Sequence, residues 1–407
     1  MNLNKFFSNI IVNEKKVIYL IFFLPIALFV GSTVSNLVVF LIIFIFIYEI
    51  FKKKKTNFLF NKEFIIFIIL YLYLILNSIF LTENLESITR AVGFIRFPIL
   101  AYAIAFYCSI ENNKYQNKIL NFWFLLFCIV TIDILFEFTV GFNLTGFKST
   151  YPGRIASFAG SELRIGGYYF GFVLLAILYA KQNLEKYTYF FIILFLITSL
   201  LIGERANFLK VFLGVSIFIF FLEKKSLFKK ITFIAGLIIF IFLTIKMIPS
   251  YYKSRYVDQI YHSINKNDVK SLVKSNKHLG HYYTAIEIFK KNIFFGIGIK
   301  NFRNVSHNKK YNPIEDFNGG TTHPHQLHFE LLSELGITGY LLLLGMLIYF
   351  IKKGIKIYFK NKNFLSLCSS IFILTTIVPL IPSGSFFTSH TATIFWINLA
   401  FLLRKNI

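Results

Sequence analysis

The sequence predicts an all-α, polytopic integral membrane protein with about 12 transmembrane helices and one long, partly helical extracytoplasmic loop. Three observations carry this expectation. Hydrophobic residues fill 56% of the 407 positions and aromatic residues 19%, in separate long blocks that are too continuous for the half-buried elements of a soluble core. The formal charge of +24 resides mostly in lysines beside those blocks, which is the positive-inside pattern and not a nucleic-acid-binding face. Lysine-rich and lysine-poor connections alternate, an arrangement that puts both termini in the cytoplasm.

A helix needs about 20 largely apolar residues to cross the hydrocarbon core. Lys5, Lys15 and Lys16 precede the first apolar run, and with no small-residue cleavage site after it the run is expected to stay as a first span. By the same ruler, spans are expected near 17–32, 34–51, 63–82, 91–109, 119–140, 166–181, 188–203, 207–222, 229–249, 335–351, 363–381 and 389–403. The segments KKKK at 52–55, ENNKYQNK at 111–118, KQNLEK at 181–186, EKKSLFKK at 223–230 and KKGIKIYFKNK at 352–362 mark the cytoplasmic side. Two loops, roughly 141–165 and 250–330, lie opposite. The chain therefore divides into a bundle at 1–249, a long periplasmic loop at 250–330 and a second bundle at 331–407. Loops longer than about 15 residues are uncommon unless they carry function, so the second loop is where a site is sought. Cys108, Cys128 and Cys368 all fall within or at the edge of apolar runs, which supports neither a disulfide framework nor a CxxC metal site.

Arginine and histidine are segregated in a way that orientation alone does not require. Of eight arginines, only Arg404 maps to the cytoplasmic side, whereas Arg90, Arg96, Arg154, Arg164, Arg205, Arg255 and Arg303 map to the outer half. His262, His278, His281, His307, His323, His325, His328 and His390 map there too. Arginine offers a planar fork that grips phosphate or carboxylate oxygens in pairs, as lysine does not. Arg96 in AVGFIRFPIL and Arg205 in LIGERANF lie at membrane depth, where a charge faces a cavity or a partner. The structural alternatives are pairing of Arg96 with Asp133 or Glu137, and of Arg205 with Glu204. In RIASFAGSELRIGGYYFGF, Arg154 and Arg164 precede Gly166-Gly167 at the start of a span, so both guanidinium groups and helix-terminal amides are available to an anion. The competing reading is a solvated loop with Glu162 paired to one arginine.

The stretch TTHPHQLHFELLSELG at 321–336 reads as a helix start. Thr322 or His323 is the expected cap, Pro324 suits the first turn, and Leu327, Leu331 and Leu335 recur every four positions. On that reading His325 and His328 lie one turn apart on one face. No HExxH and no cysteine accompanies these histidines, so no metal is assigned. General-base chemistry is the better use of an imidazole near neutral pH. Several arginines with one base, and without a convincing pair of carboxylates, fit the displacement of a leaving group that is already a phosphate ester, where no acid is needed.

HQLHFELLSELGITG, with His325-Gln326 followed by Gly336 and Gly339, resembles the short motif of the O-antigen ligase and O-antigen polymerase superfamily. GHYYTAIEIFKKNIFFGIGIKNFR at 280–303, IDILFEFTVGFNLTGF at 132–147 and GERANF at 203–208 resemble other landmarks, so the likeness spans roughly residues 90–345. The resemblance implies a metal-independent, inverting glycosyltransferase of the inner membrane, without a cofactor. Its donor would be an undecaprenyl-pyrophosphate-linked glycan, and its acceptor a lipid A-core sugar (ligase) or another lipid-linked repeat (polymerase). By the resemblance, His325 would be the catalytic base and Arg205 would match an arginine at a span start. Arg154, Arg164 and Arg303, with Arg96 deeper, would be substrate-binding. Where many ligases have an arginine early in the long loop, this chain has His281. The rival of another class is a transporter or flippase of lipid-linked glycan, which would need the arginines but no base, and for which no internal repeat is visible.

Overall fold

A computed structural model describes residues 14–82, 84–110, 113–162, 164–222, 226–256, 276–311 and 320–404. Lys5 and His262 lie outside them, as do the side chains of Lys15, Glu162 and Arg255. Among the described residues the fold is helical throughout, without strands. Its principal helices are α1 (Glu14–Val30), α2 (Ser32–Lys52), α3 (Lys62–Leu81), α4 (Leu85–Gly93), α5 (Arg96–Ser109), α6 (Lys114–Val140), α7 (Ile165–Asn183) and α8 (Thr188–Leu201). They continue as α9 (Arg205–Leu222), α10 (Leu227–Met247), α11 (Ser250–Tyr256), α12 (Lys277–Lys291), α13 (Phe302–Val305), α14 (Leu327–Asn361), α15 (Phe364–Thr376) and α16 (Ser389–Ala400).

Among the described residues, seven stretches are long and apolar enough to cross a membrane: α2, α3, α4 with α5, α6, α9, α10 and α14. α1 and α15 are shorter apolar helices, and the runs expected near 166–181, 188–203 and 389–403 are helical as α7, α8 and α16. Starts are set by side chains that accept the otherwise unpaired first amides: Asn61 from Phe64 N, Asn84 from Glu86 N, Asn276 from His278 N and Asn363 from Ser366 N. α5 and α7 are buried on nearly all sides, with Phe97, Tyr102 and Phe106 from one and Tyr168, Tyr169 and Phe172 from the other at most 2% exposed. They are the interior of the bundle, which an all-round apolar helix permits. α10 is the reverse, with Leu237 its one buried residue and Ile238, Ile239, Phe242, Leu243 and Met247 exposed.

One end of the bundle gathers the loops. There α14 is interrupted at Gly336, whose φ of 65° and ψ of −173° no helix allows, and the segment 293–298 is stitched into the break. Ile297 N and Gly298 N donate to the Ser333 and Glu334 carbonyls at 3.1 and 2.9 Å, while Ile337 N and Thr338 N donate to the Ile293 and Phe294 carbonyls at 2.8 and 3.2 Å. Both helix-break sets of backbone groups are thereby satisfied. Only glycine fits, because a Cβ on Gly336 would stand 2.4 Å from the Phe294 carbonyl, and one on Gly296 would stand 2.5 Å from that of Glu334. α3 closes the joint, with Tyr73 Oη donating to Leu335 O at 2.5 Å and Asn77 Nδ2 to Phe295 O at 2.6 Å.

The loop at 141–164 is anchored just as locally. Asp133 accepts from Leu144 N at 2.7 Å and from Ser157 Oγ at 2.5 Å, and Glu137 accepts from Ala156 N and Ser157 N at 3.0 and 2.6 Å. These two carboxylates hold the loop and are not partners of Arg96, which corrects the structural alternative drawn from the sequence. Ile155 N then donates to Ile202 O at 3.1 Å. The close approach needs Gly203, since a Cβ there would meet Gly153 O at 1.9 Å and Arg154 Cα at 3.3 Å.

Candidate functional site

The expected helix start at Thr322 or His323 is corrected: the cap is Gln326, whose side chain accepts from Phe329 N at 3.1 Å, and α14 begins at Leu327. Pro324 and His325 precede the helix. His325 has a φ of 58°, in the left-handed region that few non-glycine residues enter. Its carbonyl is held by Ser383 N at 2.8 Å. The backbone reversal separates His325 from His328, so the two do not share a helical face. His328 instead contacts Tyr340 Oη at 3.1 Å through Nδ1 and Ile377 O at 2.8 Å through Nε2.

What His325 meets are histidines of the long loop. His278 and His281 lie one turn apart on α12, and their ring centroids are 5.4 and 5.5 Å from that of His325. The His323 ring lies 4.0 Å away, and Thr321 Oγ1 is 3.5 Å from His325 Nε2. Arg205 and Arg154 both act electrostatically on His278, and Arg154 acts on Arg205. The charges of the two arginines therefore reach the His278 side of the histidine cluster. The arginine side is built by the Gly203 turn and the histidine side by the Asn276 cap and the reversal at His325. Among the described residues no three His, Cys, Asp or Glu side chains are placed to hold a metal ion.

The surroundings disfavour the protonated forms of His325, His278 and His323. Burial pushes His325 down to about 4, with the neighbouring His278 and His281 charges adding to it. Burial lowers His278 as well, followed by His281, Arg205 and Arg154. His323 is pushed down to about 2 by burial, with His325 and Lys300 contributing. An anion entering among these groups would reverse the balance, since opposite charge favours the protonated ring.

The other predicted residues are placed differently. Arg303 pairs with Glu86, its Nη1 lying 3.0 and 3.2 Å from the two carboxylate oxygens. Arg96 donates from Nη1 to Gly93 O at 2.7 Å and from Nη2 to Ser389 Oγ at 3.1 Å, and stacks on Phe97 at 4.4 Å. Arg164 lines a cavity of about 220 Å³ between α7, α9, α15 and α16, with Lys210, Asn207, Glu204, Ser383 and His390.

Three features escaped the sequence reading. The sequence places His278 and His281 with the other outer-half histidines without joining them to His325; their pairing is announced only by an i, i+3 spacing behind an asparagine cap. Lys210 sits in an apolar run and falls under the rule already applied to Arg96. Glu330 and Glu334 are 1% and 0% exposed and form a polar joint that organises the site. Ser385 Oγ and Phe386 N donate to Glu330, Lys300 Nζ donates to Ser385 Oγ at 2.6 Å, and Lys300 N donates to Glu334 at 2.8 Å. That joint ties the segments around Lys300 and Ser385 to α14, and with them Ser383, which fixes the His325 backbone.

An all-helical protein with long apolar helices and a histidine- and arginine-lined site at one end of the bundle is the class that fold and site define. Residues 190–344 match the family model described as O-Antigen ligase. The match runs from α8 through the break in α14 and contains Gly203, Arg205, His278, His281, His325 and Gly336, so it supports the resemblance to the O-antigen ligase and polymerase superfamily over that stretch. None of the curated proteins matches the chain.

Proposed function

We propose that this protein is a metal-independent, inverting glycosyltransferase of surface-polysaccharide assembly. It moves a glycan from undecaprenyl pyrophosphate to an acceptor hydroxyl at the periplasmic face of the inner membrane. In this reading the chain crosses the membrane about twelve times with both termini in the cytoplasm, and residues 250–330 form the outer loop. The observation that carries it is the placement of His325 among His278 and His281, with Arg205 and Arg154 acting on the same cluster.

The acceptor oxygen forms a bond to the anomeric carbon from the face opposite the carrier. The bond from that carbon to the pyrophosphate oxygen breaks, and His325 takes the hydroxyl proton. His325 is neutral and so has a lone pair to offer. The departing pyrophosphate keeps its electron pair, stabilised by Arg154 and Arg205, whose forks suit its oxygens. No acid is needed for such a leaving group. Ligase and polymerase differ only in the acceptor. A flippase would use the arginines but gives no role to the clustered histidines.

The test is the glycan profile of cells lacking the protein, complemented by wild type or His325→Ala, with lipid-linked and lipid A-linked glycan resolved separately. Long chains left on the carrier mean ligase, and single repeats on both mean polymerase. Full rescue by His325→Ala removes the base from the mechanism.

A further inference from the structure

The cavity beside the histidine cluster holds a cation for which the transfer chemistry has no use. Lys210 lies on α9 just over one turn from Arg205 and is 3% exposed. Among the described residues its ammonium has no carboxylate or hydrogen-bond acceptor, only the Phe170 ring at 5.6 Å. A lysine buried in an apolar helix without a counter-ion is costly, and such groups face a path or a ligand. Lys210 faces the cavity of about 220 Å³ that Arg164 and His390 also line. Gly167, in the first turn of α7, borders the same space. The carboxylate in the lining, Glu204, is engaged by Asn207 Nδ2 at 2.6 Å and Gly166 N at 3.4 Å.

We infer that this cavity is a second oxyanion site, separate from the Arg154–Arg205 pair, in which Lys210 and Arg164 bind a phosphate or carboxylate group of a substrate. The volume is below the roughly 300–1,000 Å³ of pockets that take whole drug-sized molecules, so the occupant is one small charged group of a larger molecule. Two separated cationic sites accommodate two anionic groups at once. These are either the two phosphate-bearing partners of a transfer reaction or one carrier pyrophosphate together with an acidic sugar.

The inference rests on the reading of the chain as a handler of anionic lipid-linked glycan. Its test is binding and not turnover, so either can fail alone. Full-length protein in nanodiscs of neutral lipid would be titrated by equilibrium dialysis with radiolabelled inorganic pyrophosphate and, separately, glucuronate. Wild type should show two classes of site for at least one probe. Lys210→Met should weaken one class roughly tenfold to a hundredfold, the usual loss for a charge-assisted bond, and leave the other unchanged. Arg164→Gln should weaken that same class, and Arg205→Lys the other. Loss of pyrophosphate binding alone assigns the site to a phosphate group, and loss of glucuronate binding alone assigns it to an acidic sugar. Thermal melting of each variant separates lost binding from lost fold; Lys210→Met removes a buried charge and should melt no lower than wild type. A folded Lys210→Met protein that keeps both classes at wild-type affinity overturns the inference, and so does wild type that binds neither probe in a second class.

Discussion

The His325 ring centroid lies 5.4 Å from that of His278, although His278 opens a helix of the long loop and His325 precedes α14. Two chain reversals produce this meeting, one at the left-handed His325 and one through the segment locked into the α14 break. Burial disfavours the protonated form of both rings, and the charges of Arg154 and Arg205 act on His278 in the same direction.

His325→Ala should lower glycan transfer by about a hundredfold to ten-thousandfold, the usual cost of losing a general base, without loss of the folded protein. Membrane-reconstituted transfer, normalised to the amount of monodisperse protein, measures it. Transfer at the wild-type rate would remove His325 from the mechanism.

The pH profile should shift on substrate binding. In the free protein His325 is held down to about 4 by burial and then by His278 and His281, so the base is present above that pH and is lost as pH falls through it. A bound pyrophosphate favours the imidazolium and moves the value back toward the ordinary one of about 6.5. The acid limb of kcat should therefore lie at higher pH than that of kcat/KM. Coincident limbs would count against an anion bound beside the cluster.

Arg205→Lys keeps the charge and loses the fork, so kcat should fall by at least about tenfold while the melting temperature stays near wild type. An unchanged kcat would show that Arg205 does not grip the leaving group.

Gly336→Ala should destabilise the protein by roughly 1–3 kcal/mol from backbone strain alone, with the clash at 2.4 Å on the Phe294 carbonyl added. Gly345→Ala, in the same helix with open space around it, should be neutral or gain up to about 1 kcal/mol. Thermal unfolding in detergent compares the two. Equal melting temperatures would show that the α14 break is not required.

Much of the fold was legible because it is written locally. Apolar blocks of span length and lysines between them are properties of short windows, and a helix stands at every predicted block. Gly336 and Gly339 were legible as a motif, although only the structure shows why. The first admits the Phe294 carbonyl, and the second leaves room for Tyr73, whose ring would lie 2.5 Å from a Cβ there. The helix start at 321–328 was misread because Pro324 and the leucine spacing favour a helix locally, whereas the bond from Ser383 to the His325 carbonyl holds the backbone in another conformation.

The sequence by itself determined that the described residues would be helical, that the arginines and histidines cluster apart from most of the lysine runs, and that His325 belongs to a recognisable motif. Only the tertiary structure decided which of those groups meet. It brought His278 and His281 to His325, gave Arg303 to Glu86, and left Lys210 facing a cavity with no ion-paired or hydrogen-bonded partner among the described residues. The physical reason is that helix formation depends on neighbours within a turn or two, whereas a charge finds its partner through packing between segments far apart in the chain, which no local periodicity records.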